Sequence, residues 1–402
     1  MKKTPRESLT LHITCAPGLE ALLRSEIESL GFAPEPGAGP GWRVRCAREG
    51  LWRLSLGLGL AQRIWIEAAR FSARHFGQLE RGAEAVPWAE LLAPGRPVRV
   101  DVHTHKSRLF HGKAITERIG RALAACGLEL YQGSAESVRS ESALDAPSFS
   151  RVLVRIHRDE CRVRVDTSGA ALHRRGWKTR TAKAPLREDL ARAVLLTAGW
   201  RPGRPLLDPM MGSGTFVLEA ARWASGEPCG GLRRFAFMDT PGFDVSAFAK
   251  TLSGLRVESV PTRILGRDRD AGAVESAKAN AVAAGLVESV AGLDLACASV
   301  GETAKRISEA EGSLDGLVVV ANPPYGKRVG KNPTLVGLYR DLGRLSELAP
   351  GASVTVISAR EDLLRATGAD TSPQLETEHG GQHVHVWSNA DPSSAAEPPS
   401  SR

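Results

Sequence analysis

The stretch Asp208-Pro-Met-Met-Gly-Ser-Gly-Thr215 decides the fold of the C-terminal half of this chain. It lies between a short apolar strand, Pro205 to Leu207, and the helical run Phe216 to Ala224. The two glycines allow a tight turn and the close approach of a ligand, and the helix that follows offers free N–H groups. No Gly-Lys-Ser/Thr follows, which excludes a phosphate-binding Walker loop. Val217 stands where a dinucleotide fingerprint has its third glycine, so that fingerprint is incomplete.

Outward from this loop, short apolar strands alternate with segments compatible with helices. Further strands are predicted at Arg263 to Gly266, Gly316 to Ala321 and Ser353 to Ser358. This alternation is typical of a parallel α/β sheet. The small, polar residues 390–402 are predicted to be a disordered tail.

Carboxylates stand at two of the predicted strand ends. Asp208 ends the first strand, and Asp268 follows the strand at Arg263 to Gly266. Ligands of open α/β sheets bind at the carboxyl ends of the strands, so Asp268 is predicted to chelate ribose hydroxyls. Asp270 is predicted to cap the next helix. The 60 residues that separate Asp208 from Asp268 exceed the roughly 20 of a compact dinucleotide unit, which argues against a nicotinamide enzyme. An insertion is expected between them, near Gly226 to Val260.

The motif Asn322-Pro-Pro-Tyr-Gly326 directly follows a buried strand. Two prolines cannot continue a central strand, so the chain must leave the sheet here with a rigid backbone. The Asn322 side-chain oxygen and the Pro323 carbonyl can accept the two N–H groups of an exocyclic base amine, and Tyr325 can stack on a base turned out of its helix or loop. The motif therefore predicts catalytic roles for Asn322, Pro323 and Tyr325. A simple turn is the alternative.

The first 170 residues combine helices with mostly antiparallel strands, which indicates an α+β organisation. Within residues 151–187, eleven Lys and Arg stand against three Asp and Glu, so 11 − 3 = +8, as much as the whole chain's +8. This favours a polyanionic partner over a merely basic linker. In Leu172-His-Arg-Arg-Gly-Trp177, Arg174 and Arg175 are predicted to contact RNA phosphates and Trp177 to stack on a base. The alternative is that His173 and Trp177 pack between domains.

The cysteine spacing argues against a disulfide-stabilised or zinc-binding protein. All six lie at least thirty residues apart without zinc spacing, which predicts a reduced protein without a structural metal. No apolar run reaches the length of a signal peptide core or a membrane span, so a cytoplasmic location is expected.

Five ordered motifs resemble the THUMP-domain RNA guanine-N2 methyltransferases, class I enzymes that act on 23S rRNA or tRNA. The resemblance covers about residues 8 to 360. Its carriers are Cys15-Ala-Pro-Gly-Leu-Glu20, Leu172-His-Arg-Arg-Gly-Trp177, Ala184-Pro-Leu-Arg-Glu188, Asp208 to Thr215 with Glu219, and Asn322 to Gly326 with Leu338-Tyr339.

This resemblance implies a domain order. Residues 1–70 would form a ferredoxin-like domain, 71–168 a THUMP RNA-binding domain, and 169–389 a Rossmann-like methyltransferase domain. Some relatives carry a second methyltransferase module, which we do not expect in this chain. A single-activity rRNA enzyme and a tRNA enzyme both stay open.

The resemblance also implies a cofactor, S-adenosylmethionine (SAM). The residues expected to hold it are Asp208, Gly212, Ser213, Gly214, Thr215 and Asp268. In this family an acidic residue after the third strand usually contacts the adenine of the cofactor. Asp294 lies two or three residues before that position and Cys297 lies near it, so the adenine contact is unassigned. The expected partner is RNA, with no membrane or metal, and the oligomeric state is open. Two rivals are an adenine-N6 methyltransferase on DNA or RNA and an RNA-binding assembly factor without turnover.

Overall fold

The computed structural model of the 402-residue chain describes most of its length. The described residues are 8–37, 39–133, 143–181, 185–286, 292–309, 314–324, 333–368 and 372–390. Tyr325 and residues 391–402 of the predicted tail lie outside these ranges.

The first half of the chain builds one sheet covered by helices. Its strands are β1 (Leu9–Thr14), β2 (Glu35–Pro36), β3 (Gly41–Cys46), β4 (Arg63–Ser72), β5 (Val98–His105), β6 (Ser150–His157) and β7 (Glu160–Asp166). Its helices are α1 (Glu20–Ser29), α2 (Arg48–Gly57), α3 (Phe76–Glu84), α4 (Trp88–Leu91) and α5 (Gly112–Ala124).

This first sheet has the strand order β2-β3-β1-β4-β7-β6-β5. All neighbours pair antiparallel except β5 and β6, which pair in parallel. The α+β prediction is therefore confirmed. Strand β4 pairs with β7 from Trp65 opposite Asp166 to Ser72 opposite Glu160. The two predicted N-terminal domains consequently share one continuous sheet, and their predicted border at residue 70 falls inside β4.

The second half builds the other sheet. Its strands are β8 (Leu206–Asp208), β9 (Ile264–Asp268), β10 (Leu293–Cys297), β11 (Val318–Ala321), β12 (Ser353–Ser358), β13 (Ser372–His379) and β14 (Gln382–Ser388). Its helices are α6 (Glu188–Thr197), α7 (Thr215–Ala224), α8 (Val245–Leu255), α9 (Ala271–Ala283), α10 (Val300–Ser308), α11 (Pro333–Arg344) and α12 (Glu361–Leu364).

The second sheet has the order β10-β9-β8-β11-β12-β14-β13. The five strands β8 to β12 pair in parallel with their neighbours in this order. Strand β14 pairs antiparallel with both β12 and β13. The central strand β11 is fully buried along Val318–Ala321, as expected where helices cover both faces of a parallel sheet. The four predicted strands and the Rossmann-like class are confirmed, and β10 and the β13–β14 hairpin are additions to them.

The expected insertion contains α8 and joins the two halves of the molecule. The Trp52 ring of α2 makes edge contacts with Phe243 and Phe248, at centroid distances of 5.9 and 6.1 Å. A core shared by both halves continues from this joint. Within the described residues, no helix is both long enough and apolar enough to cross a membrane.

Candidate active site at the carboxyl ends of the parallel strands

A cleft of about 790 Å³ opens at the carboxyl ends of β8, β9 and β11. Parallel strands bring their carboxyl ends to one edge of the sheet, and the loops that follow them line this edge. The predicted residues in its wall are Asp208, Gly212, Ser213, Thr215, Asp268, Asn322 and Pro323. Residues separated by more than a hundred positions in sequence therefore meet in one site.

The glycine loop turns from β8 into α7 with the geometry that its glycines allow. Gly212 and Gly214 have positive φ angles of 53° and 89°, and Gly214 is the N-cap of α7. Gly214 does not line the cleft, and a Cβ there would stand 3.1 Å from the Ala277 Cβ atom. Its contribution is the backbone turn, while Gly212, Ser213 and Thr215 face the open space.

Asp268 links the glycine loop to the end of β9. Its two carboxylate oxygens accept N–H groups from Gly212 and Asp270, each at 2.9 Å. A carboxylate has about four acceptor sites, so these two bonds leave capacity for ligand hydroxyls. Asp270 caps α9 by accepting the Gly272 and Ala273 N–H groups, which confirms its predicted role. The arrangement suits Asp268 to the chelation of a diol.

Asp208 lies beneath the loop and is 1% exposed. One of its oxygens accepts the Met210 N–H at 3.0 Å. Burial, together with the nearby Asp268 carboxylate, raises the pKa of Asp208 well above its ordinary value. A cation bound in the cleft would offset the cost of ionising this carboxyl group.

Asn322 follows β11 and presents an unused acceptor. Its side-chain oxygen is buried and accepts no hydrogen bond from the described residues. Buried polar atoms are almost always paired, so an exception calls for an explanation such as a missing ligand. Pro323 and Pro324 continue the same wall of the cleft. The amide oxygen of Asn322 is therefore available to an N–H donor in the cleft.

Asn280 on α9 contrasts with Asn322 because all of its side chain is used. It accepts the Thr179 and Arg180 N–H groups, each at 2.9 Å, and donates to the Arg180 and Ser213 carbonyls at 2.9 and 3.1 Å. These bonds fix the segment before Thr181 against the glycine loop. The sequence prediction missed this residue, because nothing near Asn280 in the chain identifies its partners.

The turn of the β13–β14 hairpin supplies a wall that the sequence prediction also missed. His379, Gly380 and Gln382 line the cleft. Burial and the nearby charge of Arg187 lower the pKa of His379, and its Nδ1 atom is buried without a hydrogen-bond partner in the described part of the chain. A signal was present, since Gly380-Gly381 between two alternating segments is a typical hairpin turn. Both glycines have positive φ angles, 58° and 74°, as a two-residue hairpin turn of type I′ requires.

Two of the three predicted RNA contacts need correction. Arg175 is 2% exposed and Trp177 is 1% exposed. The Arg175 guanidinium pairs with Glu219 at 3.2 Å and donates to the carbonyls of Leu172 and Gly59. Neither side chain can reach an external RNA from this position, because the segment folds into the interior between the two halves.

Arg174 is exposed and keeps its predicted role as an expectation. His173 is partly buried, and its Nδ1 atom finds no hydrogen-bond partner among the residues that the structure describes. The alternative that Trp177 packs between domains is the one that its burial supports.

Neither candidate for adenine contact faces the cleft. Asp294 forms an ion pair with Arg267 on the neighbouring strand β9. Cys297 is exposed, and its sulfur lies 3.6 Å from the Arg269 carbonyl oxygen. The described wall near Asp268 is formed instead by Asp270, Gly272, Ala273 and Ser276 of the α9 region.

Comparison with known proteins bears on this geometry. The chain is 30% identical over 382 residues to the ribosomal RNA large subunit methyltransferase K/L of Vibrio cholerae, covering 92% of this chain and 51% of that protein. The chain thus spans about half the length of the K/L proteins that it matches. It is 29% identical over 373 residues to slr0064 of Synechocystis, whose name places it provisionally among RNA methyltransferases, covering 92% of this chain and 93% of that one.

The fold also matches a solved structure over nearly its whole length. SMU.472, crystallised with SAH, superposes with a TM-score of 0.79 at 24% identity, covering 96% of this chain and 98% of that one. Two family descriptions match parts of the sequence. Residues 10–65 match the RlmL ferredoxin-like domain. Residues 175–386, which include every residue that lines the cleft, match the RMKL-like methyltransferase domain. The chain belongs to this RMKL-like methyltransferase family.

Proposed function

We propose that this protein is a SAM-dependent RNA methyltransferase that methylates the exocyclic N2 amine of a guanosine in rRNA or tRNA. The observation that carries the proposal is the buried, unpaired amide oxygen of Asn322 in the same cleft as the glycine loop and Asp268. An acceptor for an amine and a cradle for a nucleoside cofactor thus face one space.

The cleft fits the cofactor in three respects. Asp268 has acceptor capacity for ribose hydroxyls, and the Gly212 backbone is open to close approach. A cationic ligand would also offset the cost of ionising the buried Asp208 carboxyl group beneath the loop. When bound, SAM supplies a methyl group activated by its positively charged sulfur.

Asn322 and Pro323 position the target amine of the guanosine. Their oxygens accept the two N–H groups of the target amine and favour a pyramidal nitrogen whose lone pair faces the methyl group. Bound SAM would supply the methyl group and leave as SAH, and the methylated nitrogen would release one proton to water. Catalysis on this scheme rests on positioning and on exclusion of water. The Nδ1 atom of His379, which has no hydrogen-bond partner among the described residues, is available to a polar group of the bound base.

The first half of the chain is proposed to deliver the RNA, with residues 71–168 as a THUMP domain. This part has its own core between α3, α5 and strands β5 to β7, and it continues the sheet of the ferredoxin-like part. The names of the relatives, which refer to ribosomal RNA or RNA, support an RNA substrate.

One experiment separates the proposal from its rivals. The protein is incubated with methyl-labelled cofactor and, separately, with undermodified tRNA, 23S rRNA or adenine-containing DNA, and the labelled nucleoside is identified by mass spectrometry. N2-methylguanosine is expected. N6-methyladenine would replace the guanine assignment, since the Asn-Pro-Pro-Tyr motif can serve any exocyclic amine. Absence of transfer to every substrate would favour an assembly factor.

Cofactor binding is tested separately by calorimetry. Gly212→Val places a branched side chain where the cofactor approaches the backbone, and Asp268→Ala removes the diol acceptor, so both should abolish measurable binding. Gly31→Val is the matched control, because Gly31 also has a positive φ, 85°, with no atom within 4 Å of its Cβ position. Unchanged affinity in folded Gly212→Val protein would contradict the cofactor site.

A further inference from the structure

We propose that Glu376, His383 and His385 bind a divalent transition metal ion such as Zn²⁺ on the outer face of the β13–β14 hairpin. This inference does not depend on the proposed function. Among the described residues, these three bring their ligand atoms within 4.8 Å of one another.

The strand geometry places the three side chains together. His383 and His385 are two residues apart on β14, so they point to the same face. Glu376 stands directly opposite His385 in the antiparallel ladder, and directly opposed residues share a face. The set is therefore built from two adjacent strands, with one histidine pair along a strand and one carboxylate across it.

The distances are close to those that a metal needs. Glu376 Oε1 lies 3.5 Å from His385 Nδ1, and Glu376 Oε2 lies 3.8 Å from His383 Nε2. Zinc bonds of about 2.0–2.2 Å in a tetrahedral site put neighbouring ligand atoms roughly 3.3 Å apart. The side chains of His383 and Glu376 are 59% and 63% exposed, so they can rotate to close the remaining gap. Two imidazoles and a carboxylate are ligands that suit zinc and similar divalent ions.

A second observation points to a ligand at this place. The Nδ1 atom of His385 is buried and makes no hydrogen bond with the described residues, although a carboxylate oxygen lies 3.5 Å away. A buried polar atom without a partner costs free energy. A metal ion between His385 and Glu376 would satisfy both groups.

The position of the site gives it a structural consequence. The Gly380-Gly381 turn lies just before His383 in the chain, and its neighbours His379 and Gln382 line the cleft. An ion held by both strands would fix the hairpin just behind this wall. The sequence prediction of no metal was drawn from cysteine spacing, which does not show a carboxylate brought in across a ladder.

The test uses the full chain without a histidine tag. Zn²⁺ is titrated by calorimetry and Co²⁺ by visible absorbance, and one ion per chain is expected. His383→Ala and Glu376→Gln should each weaken binding at least about tenfold, since loss of even an outer-shell partner of a metal ligand costs about 10- to 100-fold. Zn²⁺ should also raise the melting temperature of the parent protein, and this rise should be absent in both variants.

The chain offers a matched control. His105 and His157 form another cross-strand histidine pair, with their Nδ1 atoms 3.2 Å apart, but they are not grouped with a carboxylate. The His105→Ala, His157→Ala double variant should keep the parental stoichiometry and affinity. Failure of the parent to bind either ion, binding that survives His383→Ala, or binding abolished in the control would each overturn the proposal.

Discussion

The segment of residues 168–177, which lies inside the basic stretch 151–187, and the strand-end cleft differ in how their polar groups are used. Around the segment, cations turn inward: Arg175 pairs with Glu219, and the buried Arg233 donates to the carbonyls of Ser168, Ala170 and Ala171. In the cleft, the Asn322 oxygen has no partner among the described residues. The dense positive charge in the sequence therefore belongs partly to the packing between the two halves of the molecule. The candidate site is indicated instead by an unpaired acceptor beside a cavity.

The largest effect is expected at the joint, on stability. Arg175→Ala leaves the buried Glu219 carboxylate without its cation, and removal of one partner of a buried ion pair costs about 3–5 kcal/mol. Burial acts to lower the pKa of Arg175, but the charge of Glu219 outweighs it, so the net pKa is raised and the guanidinium stays charged. Chemical denaturation should show the decrease in unfolding free energy.

An apolar replacement of both partners is the control for Arg175→Ala. Arg175→Met with Glu219→Leu should recover much of the stability, because a buried ion pair replaced by apolar groups is often neutral. If Arg175→Ala instead keeps its stability and loses only RNA affinity, Arg175 contacts RNA after all and the comparison between segment and cleft fails.

The second largest effect is expected on catalysis, and it is tested by comparing substitutions of Asn322 and Asn280. Asn322→Ala should lower the single-turnover methylation rate by about a hundredfold or more, the scale for one preorganised polar group. Its melting temperature should not fall, since the Asn322 oxygen accepts no hydrogen bond that the change would remove. Asn280→Ala should show the opposite result, with a clear decrease in stability. A parental rate in Asn322→Ala protein would place the amine pocket elsewhere.

Asp208 should separate stability from binding. Folding raises the pKa of this carboxyl group, so stability falls as the pH rises through the raised value and the group ionises. Asp208→Asn keeps an acceptor for the Met210 N–H and removes the ionisation. It should raise the melting temperature by a few degrees above neutral pH, with no gain under acid conditions, and weaken cofactor binding. An equal change at every pH would contradict the assigned ionisation.

The smallest effect is expected at Arg174. Charge reversal there should flatten the slope of log RNA affinity against log salt by about 0.7–0.9 for each phosphate that the protein no longer neutralises. Arg174→Lys should keep the slope, since pairing with a phosphate needs mainly charge. RNA titrations at several salt concentrations measure this slope. An unchanged slope in Arg174→Glu protein would show that Arg174 does not contact RNA and that this end of the segment only connects the two halves.

Prediction from sequence succeeded where the signal is local. The Asp208 to Thr215 loop, the strand before Asn322 and the Asp270 cap each depend on neighbouring residues, and all three stand as predicted. It failed where partners are distant in the chain. Nothing beside Arg175 indicates that Glu219, 44 positions away, neutralises it. The β13–β14 hairpin was missed although its signal is local, since Gly380-Gly381 separates two alternating segments.

The packing of Trp52 against Phe243 and Phe248 has a geometric consequence for the choice of nucleotide. An insertion of the second half packs onto a helix of the first half, so these aromatic rings and the shared core together hold the first sheet at one distance from the cleft. The first sheet and the cleft cannot move apart without breaking this packing. If the first half binds the RNA, as proposed, a target base reaches the cleft only when its distance from the bound part of the RNA equals that spacing.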